Sequence, residues 1–129
     1  MKKNILSLIT ILLSTSVFAQ KWTEEAKITS DNREVSNKYG SDFDIQNGVL
    51  FTADKLTNSG QVLIKEQDSI GYWVTKQKLI PFSPSAENPF LTINFGSAIA
   101  VSGKYLVVGA DKSNSTASGL VYVYEEKNG

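Results

Sequence analysis

The sequence predicts an all-β protein assembled from two copies of one supersecondary unit. Three observations carry that prediction. The motif series Tyr39-Gly40-Ser41, Thr52-Ala53-Asp54-Lys55 and Gly60 recurs as Phe95-Gly96-Ser97, Gly109-Ala110-Asp111-Lys112 and Gly119. Strand-length apolar runs alternate with clusters of Gly, Asn, Ser and Asp, and no segment carries the 3.6-residue apolar stripe of a helix. A repeat of roughly 50 residues points to a unit that buries its faces only against neighbouring copies.

The first element in chain order is an expected secretory signal peptide over residues 1–19. Met1-Lys2-Lys3, the apolar run Ile5 to Leu13 and the small residues before Ala19 form its charged, greasy and small-residue zones. The run falls short of the about 20 residues that span a bilayer, so no transmembrane segment is expected. Removing residues 1–19 leaves 110 residues, one modest domain. Trp22 to Ile28 is the next expected strand. It matches Trp73 to Leu79 as Trp, four residues, Lys, then Ile or Leu, at a separation of 51 residues.

Copy one, at about residues 22–71, continues through a charged connector, Thr29 to Lys38, to a strand at Gly40–Ile45. A Gln46-Asn47-Gly48 turn leads to Val49–Ala53, and a polar loop to Gly60 leads to Gln61–Glu66. Copy two, at about 72–129, has Gly96–Val101, a Ser102-Gly103-Lys104 turn, Tyr105–Ala110, a loop to Gly119, then Leu120–Glu126. Asn-Gly and Ser-Gly supply the positive φ that tight hairpins need. The stretch between the copies, Ile80 to Leu91, holds all three prolines and reads as a crossover loop.

Leu106-Val107-Val108 and Leu120 to Tyr124 are apolar on both faces, so each is expected to be covered on both sides. Three antiparallel strands per copy plus the tryptophan strand make four-stranded sheets. Stacked face to face about an axis, such sheets are two consecutive blades of a β-propeller. A propeller closes a ring of about four to eight blades, so the expectation is a fragment of a longer product, or a chain that completes its ring by self-association.

Composition restricts the chemistry. The chain has no cysteine and no histidine, which removes disulfides, thiolate metal sites and every catalytic triad built on either residue. Thirteen basic residues balance thirteen acidic ones without a basic stripe, so nucleic acid is not an expected partner. The copies differ notably at Asp42 and Asp44, which stand where copy two has Ala98 and Ala100. Strand alternation puts these carboxylates on one face, about 6 to 7 Å apart. They are the candidate ligand-binding residues, set against the plainer reading that they face water.

The motifs resemble FG-GAP repeats, the blade units of the integrin α-subunit propeller and of many bacterial exported proteins. Phe95-Gly96 and Gly109-Ala110 carry the resemblance, with Asp111 where the pattern has proline; Tyr39-Gly40 and Thr52-Ala53 carry a weaker version. Such repeats often hold calcium in an Asp-x-Asp-x-Asp-Gly loop. Here the corresponding turns, Gln46-Asn47-Gly48 and Ser102-Gly103-Lys104, lack the converging carboxylates that calcium needs. No metal, cofactor or catalytic residue is therefore expected. The resemblance implies a non-enzymatic module of a secreted or surface protein that binds protein or glycan, as in adhesion. Its rivals are a piece of a carbohydrate-active propeller enzyme using Asp42 and Asp44, and a truncated product with no activity of its own.

Overall fold

A computed structural model describes residues 22–33, 38–55, 60–81, 93–112 and 118–127. The expected signal peptide and most of the proline-rich crossover lie outside these residues. The described chain forms seven strands and no helix: β1 (Lys38–Gln46), β2 (Val49–Lys55), β3 (Gln61–Gln67), β4 (Trp73–Leu79), β5 (Ile93–Ser102), β6 (Tyr105–Lys112) and β7 (Leu120–Glu125). They make two antiparallel meanders, a four-stranded sheet ordered β1-β2-β3-β4 and a three-stranded sheet ordered β5-β6-β7.

Local chemistry explains the hairpins. Asn47 and Gly48 both take positive φ, 52° and 79°, which matches the twist of the strands they join. Gly103 does the same for β5 and β6 at φ 58°. In both sheets the first hairpin carries a bulge, between Tyr39 and Phe43 and between Phe95 and Ala98. Gly40 and Gly96 occupy these bulges at φ 71° and 87°, a region costly for any residue with a Cβ. The glycine that recurs after an aromatic residue is thus a backbone requirement.

The bulges and turns place the two sheets in strict correspondence at an offset of 56 residues through the first hairpin: Gln46↔Val49 matches Ser102↔Tyr105, and Tyr39↔Asp54 matches Phe95↔Ala110. The motif alignment pairs Asp54 with Asp111, but the registers pair Asp54 with Ala110. One residue of slip moves a side chain to the other face. Asp54 is accordingly a buried strand residue and not the loop aspartate that the alignment suggested, whereas Asp111 is exposed at the end of β6.

The core lies between the sheets. Ala53, Val62 and Leu79 of the first sheet pack with Phe95, Ile99, Leu106, Val108 and Ala110 of the second, flanked by Phe51, Ile64, Val101, Tyr122 and Tyr124. Phe95 is fully buried and meets Tyr122 edge-on, with ring centroids 5.2 Å apart and planes at 81°. Gly96 packs against Ala53, where an added Cβ would lie 3.0 Å from that methyl group, and Gly60 lies directly against the Phe95 backbone. Strand β5 has Cα atoms within 8 Å of β1, β2 and β3, while β6 and β7 stand farther from the first sheet.

Two sequence expectations fail. Residues 22–28 are not a strand. A strand needs a neighbour for its N–H and C=O groups, and the outer edge of the first sheet is already occupied by β4, which pairs with β3 from Val62↔Leu79 to Gln67↔Trp73. The tryptophan strand Trp73–Leu79 thus completes the first sheet. Coverage on both faces also fails for the second sheet, where Val107, Val121 and Val123 are exposed. They belong to the face turned away from the core.

Candidate functional site

The candidate residues Asp42 and Asp44 are on β1 and alternate with Phe43 and Ile45, so both carboxylates leave the same face of the strand. That face meets β5. In an antiparallel pair every second N–H points away from the partner strand, and on β5, whose partner is β6, these include Ile99 and Val101. Asp42 Oδ2 accepts the Ile99 N–H, and Asp44 Oδ2 accepts the Val101 N–H at 2.7 Å. Gln46 continues the ladder: its Oε1 accepts the Gly103 N–H at 2.8 Å and its Nε2 donates to the Gly103 carbonyl at 2.6 Å. Asp44 Oδ1 also accepts the Ile45 N–H at 2.8 Å.

Three alternate side chains of one strand therefore clasp the open edge of the next sheet. The two aspartate bonds are charge-assisted, a kind that is short and about twice as strong as neutral ones such as those of Gln46. The structure brings Asp42 and Asp44 together, as the spacing predicted, and aims them at backbone. Sequence reading missed Gln46 as their partner. The signal was present, because 42, 44 and 46 share the period of two.

A second polar cluster, not foreseen, covers the far face of the first sheet. Lys65 on β3 is buried, and its Nζ donates to Asp31 Oδ1 and to Thr75 Oγ1, each at 2.7 Å; the threonine hydroxyl in turn donates to Asp31 Oδ2 at 2.8 Å. Lys78 adds a longer ion pair at 3.6 Å. The Lys65 hydrogen bond holds the Asp31 carboxyl below its ordinary range, with Thr75 and the two lysine charges adding to it, against a smaller opposing effect of burial.

Beside this cluster Asp54 Oδ2 accepts from Ser30 Oγ and Gln61 Nε2, both at 2.9 Å. At the matching positions the second sheet has Ala110, Leu120 and Tyr124 in place of Asp54, Gln61 and Lys65. Polar side chains there are possible because residues 30–31 supply partners for them.

A cleft of about 310 Å³ opens between the sheets near the hairpin ends. Phe51, Ile64, Leu79 and Tyr124 line it together with Glu66, Lys76, Lys104 and Glu125. Lys104 pairs with Glu125 and lies 5.3 Å from the Tyr105 ring centroid. Among the described residues no group of three or more carboxylates could hold a metal ion, and no helix is long and apolar enough to cross a membrane.

Two antiparallel sheets in repeat order, each with an aromatic-glycine bulge in its first hairpin, define the class of protein. Residues 73–124 match the FG-GAP repeat family, so the chain contains an FG-GAP repeat. The matched segment begins with β4 of the first sheet and ends in β7 of the second, so the sequence repeat is offset by one strand from the hydrogen-bonded sheets. No curated protein and no solved structure matches the chain significantly.

Proposed function

We propose that this chain is a non-enzymatic FG-GAP repeat module of an exported protein, whose two sheets are consecutive blades of a β-propeller and whose rim binds protein or glycan. The observation that carries this reading is the joint between the sheets. Phe95 plugs the core, Gly96 and Gly60 allow the backbones to approach, and β5 lies close to the first sheet while β6 and β7 stand off. Sheets that converge at their first strands in this way suit a radial stack about an axis beside β1 and β5.

The engagement of Asp42 and Asp44 by backbone N–H groups supports a structural role for them over the acid-base pair of a glycosidase, whose carboxyls must face substrate and water. Export rests on the charged, apolar and small-residue zones of residues 1–19. The cleft between the sheets, lined by charged and aromatic groups, is the proposed ligand groove.

Binding without turnover is the test. The exported chain is presented to immobilised glycans and to surface proteins, and the same glycans are analysed for cleavage products. Saturable binding with intact glycans, weakened by Lys76→Glu or Tyr105→Ala, is the expected result. Cleavage that disappears in Asp42→Asn would overturn the non-enzymatic reading.

A further inference from the structure

The geometry points to a second binding site, in a hollow on the far face of the first sheet, that takes an acidic saccharide, a sugar ring carrying a carboxylate or a sulfate. None of the residues that line this hollow lines the cleft between the sheets. The site therefore adds to the proposed groove and names a ligand charge that the groove does not.

The hollow, of about 450 Å³, lies between residues 26–33, strand β3 and the turn that leads into β4, and Lys27, Asp31, Arg33, Lys65, Tyr72 and Trp73 line it. Its volume falls within the range of about 300–1,000 Å³ typical of small-molecule pockets. Three of these side chains are cations and one is a carboxylate. Asp31 is already shared by Lys65 and Lys78. Among the described residues no carboxylate pairs with Lys27 or Arg33. Arg33 gives one long bond, from Nη2 to Thr29 Oγ1 at 3.3 Å, which leaves most donors of its guanidinium fork for an oxyanion.

Lys65 is the buried anchor, with a side chain only 3% exposed. An ammonium has three N–H donors. Asp31 and Thr75 accept two of them, and the third is left at the hollow that Lys65 lines. The fold does not require this lysine, because the second sheet places Tyr124 at the matching position. Nor does stability call for it, since a buried ion pair is often no better than apolar side chains of similar volume. An anion to bind gives the buried charge a purpose, and low surrounding polarity strengthens its hydrogen bonds.

Both walls are fixed before any ligand arrives. Ser30 and Asp31 tie the first wall to Asp54 and Lys65. The other wall is the turn from Asp68 to Tyr72, where Asp68 Oδ1 accepts the Ile70 N–H at 3.0 Å and the Tyr72 N–H at 2.9 Å. The Asp68 N–H donates to the Tyr72 carbonyl at 2.8 Å, and the Gly71 N–H to the Asp68 carbonyl at 3.1 Å. This turn holds Tyr72 at the hollow while 69% of it stays exposed. A pyranose ring presents C–H groups on its faces, and an aromatic side chain already held in place covers them at little cost in entropy. A bare inorganic anion would use the cations and leave the rings idle, and a nucleic acid would need the basic stripe that the chain lacks.

The chain as the cell processes it is titrated calorimetrically at low ionic strength with trigalacturonate and with sulfated maltotriose, which separate the two anion sources. Their neutral counterparts, trigalacturonate methyl ester and maltotriose, serve as controls. At least one acidic saccharide is expected to bind about tenfold or more tightly than its neutral counterpart, and to weaken as salt is raised. Arg33→Gln or Lys27→Gln should weaken it about tenfold, and Tyr72→Ala about threefold or more. All three positions are exposed, so these variants should fold as the wild type does. Failure of both acidic saccharides to bind, equal affinity for the neutral counterparts, or inorganic sulfate binding as tightly as the saccharide overturns the inference.

Amide NMR spectra recorded during the same titration place the ligand without any substitution. Shifts concentrated at residues 26–33 and 71–73 are expected. Shifts confined to Gln77, Leu106 and their neighbours in the cleft would remove the far-face site and leave the proposed groove standing.

Discussion

Asp44 and Val101, 57 residues apart in sequence, are joined by a 2.7 Å hydrogen bond from the Val101 amide to the Asp44 carboxylate. The bond makes the inner edge of one sheet the acceptor of the inner edge of the next. Truncating Asp44 leaves the Val101 and Ile45 amides without this acceptor, a loss of about 1–3 kcal/mol for a part-buried charged hydrogen bond. Asp44→Ala should therefore lower the urea midpoint and speed hydrogen exchange at Val101. Unchanged exchange there would show that the clasp contributes nothing.

The two joint glycines should be unequal to the open one. Gly40 takes φ 71° with no atom near an added Cβ, so Gly40→Ala should cost only the left-handed backbone, about 1–2 kcal/mol. Gly60, at φ 74°, would also drive its Cβ into the Phe95 backbone, which has no side-chain rotamer to yield. Gly60→Ala should be the more damaging in thermal unfolding, with Gly96→Ala between them because Ala53 can shift by tenths of an ångström. Equal costs at 40 and 60 would contradict the close approach.

Among the described residues Phe95 is the largest fully buried side chain, and its ring meets Tyr122 and Tyr124 edge-on. Phe95→Ala should cost about 3–5 kcal/mol, and Phe95→Leu distinctly less, in equilibrium denaturation. A domain of this size has about 5–15 kcal/mol in total, so the alanine variant should be only marginally folded at room temperature.

Acid should act through Asp31. Its carboxyl titrates below the ordinary 3.8 in the folded chain because Lys65 and Thr75 bond to its ionised form. A depressed folded pKa contributes stability above the unfolded value of 3.8, and that stability is lost as pH falls through the folded value. Asp31→Asn should therefore be less stable than wild type at pH 6, with the gap closing below about pH 3.8. A gap that stays constant down to pH 2.5 would show that Lys65 and Asp31 are not coupled.

Most of the strand layout was legible from residue types. Asn47-Gly48 and Gly103 mark hairpins because they accept positive φ, and the β-branched and aromatic runs between them have few other folded options. The register around Asp54 was not legible, since matching the two Ala-Asp-Lys motifs shifts β2 against β6 by one residue from the 56-residue offset that the hairpins hold. Nor was the status of Trp22 to Ile28, whose strand character is genuine in pattern but needs an unoccupied sheet edge to be expressed.

The candidate carboxylates show the same division. Alternation alone placed Asp42 and Asp44 on one face, but water, a ligand and a backbone edge are all acceptable neighbours for a carboxylate. Packing chose the edge of β5.

What the amino-acid order determined by itself is local: an all-β chain, a duplicated unit and its turns, each set by the allowed φ of glycine and the period of a strand. What the tertiary structure alone decided is which faces meet. The Lys65–Asp31 cluster and the Asp–Gln clasp both depend on groups distant in sequence brought within bonding range. Hydrogen bonds and burial act across space, and no local pattern specifies a neighbour that the chain has yet to meet.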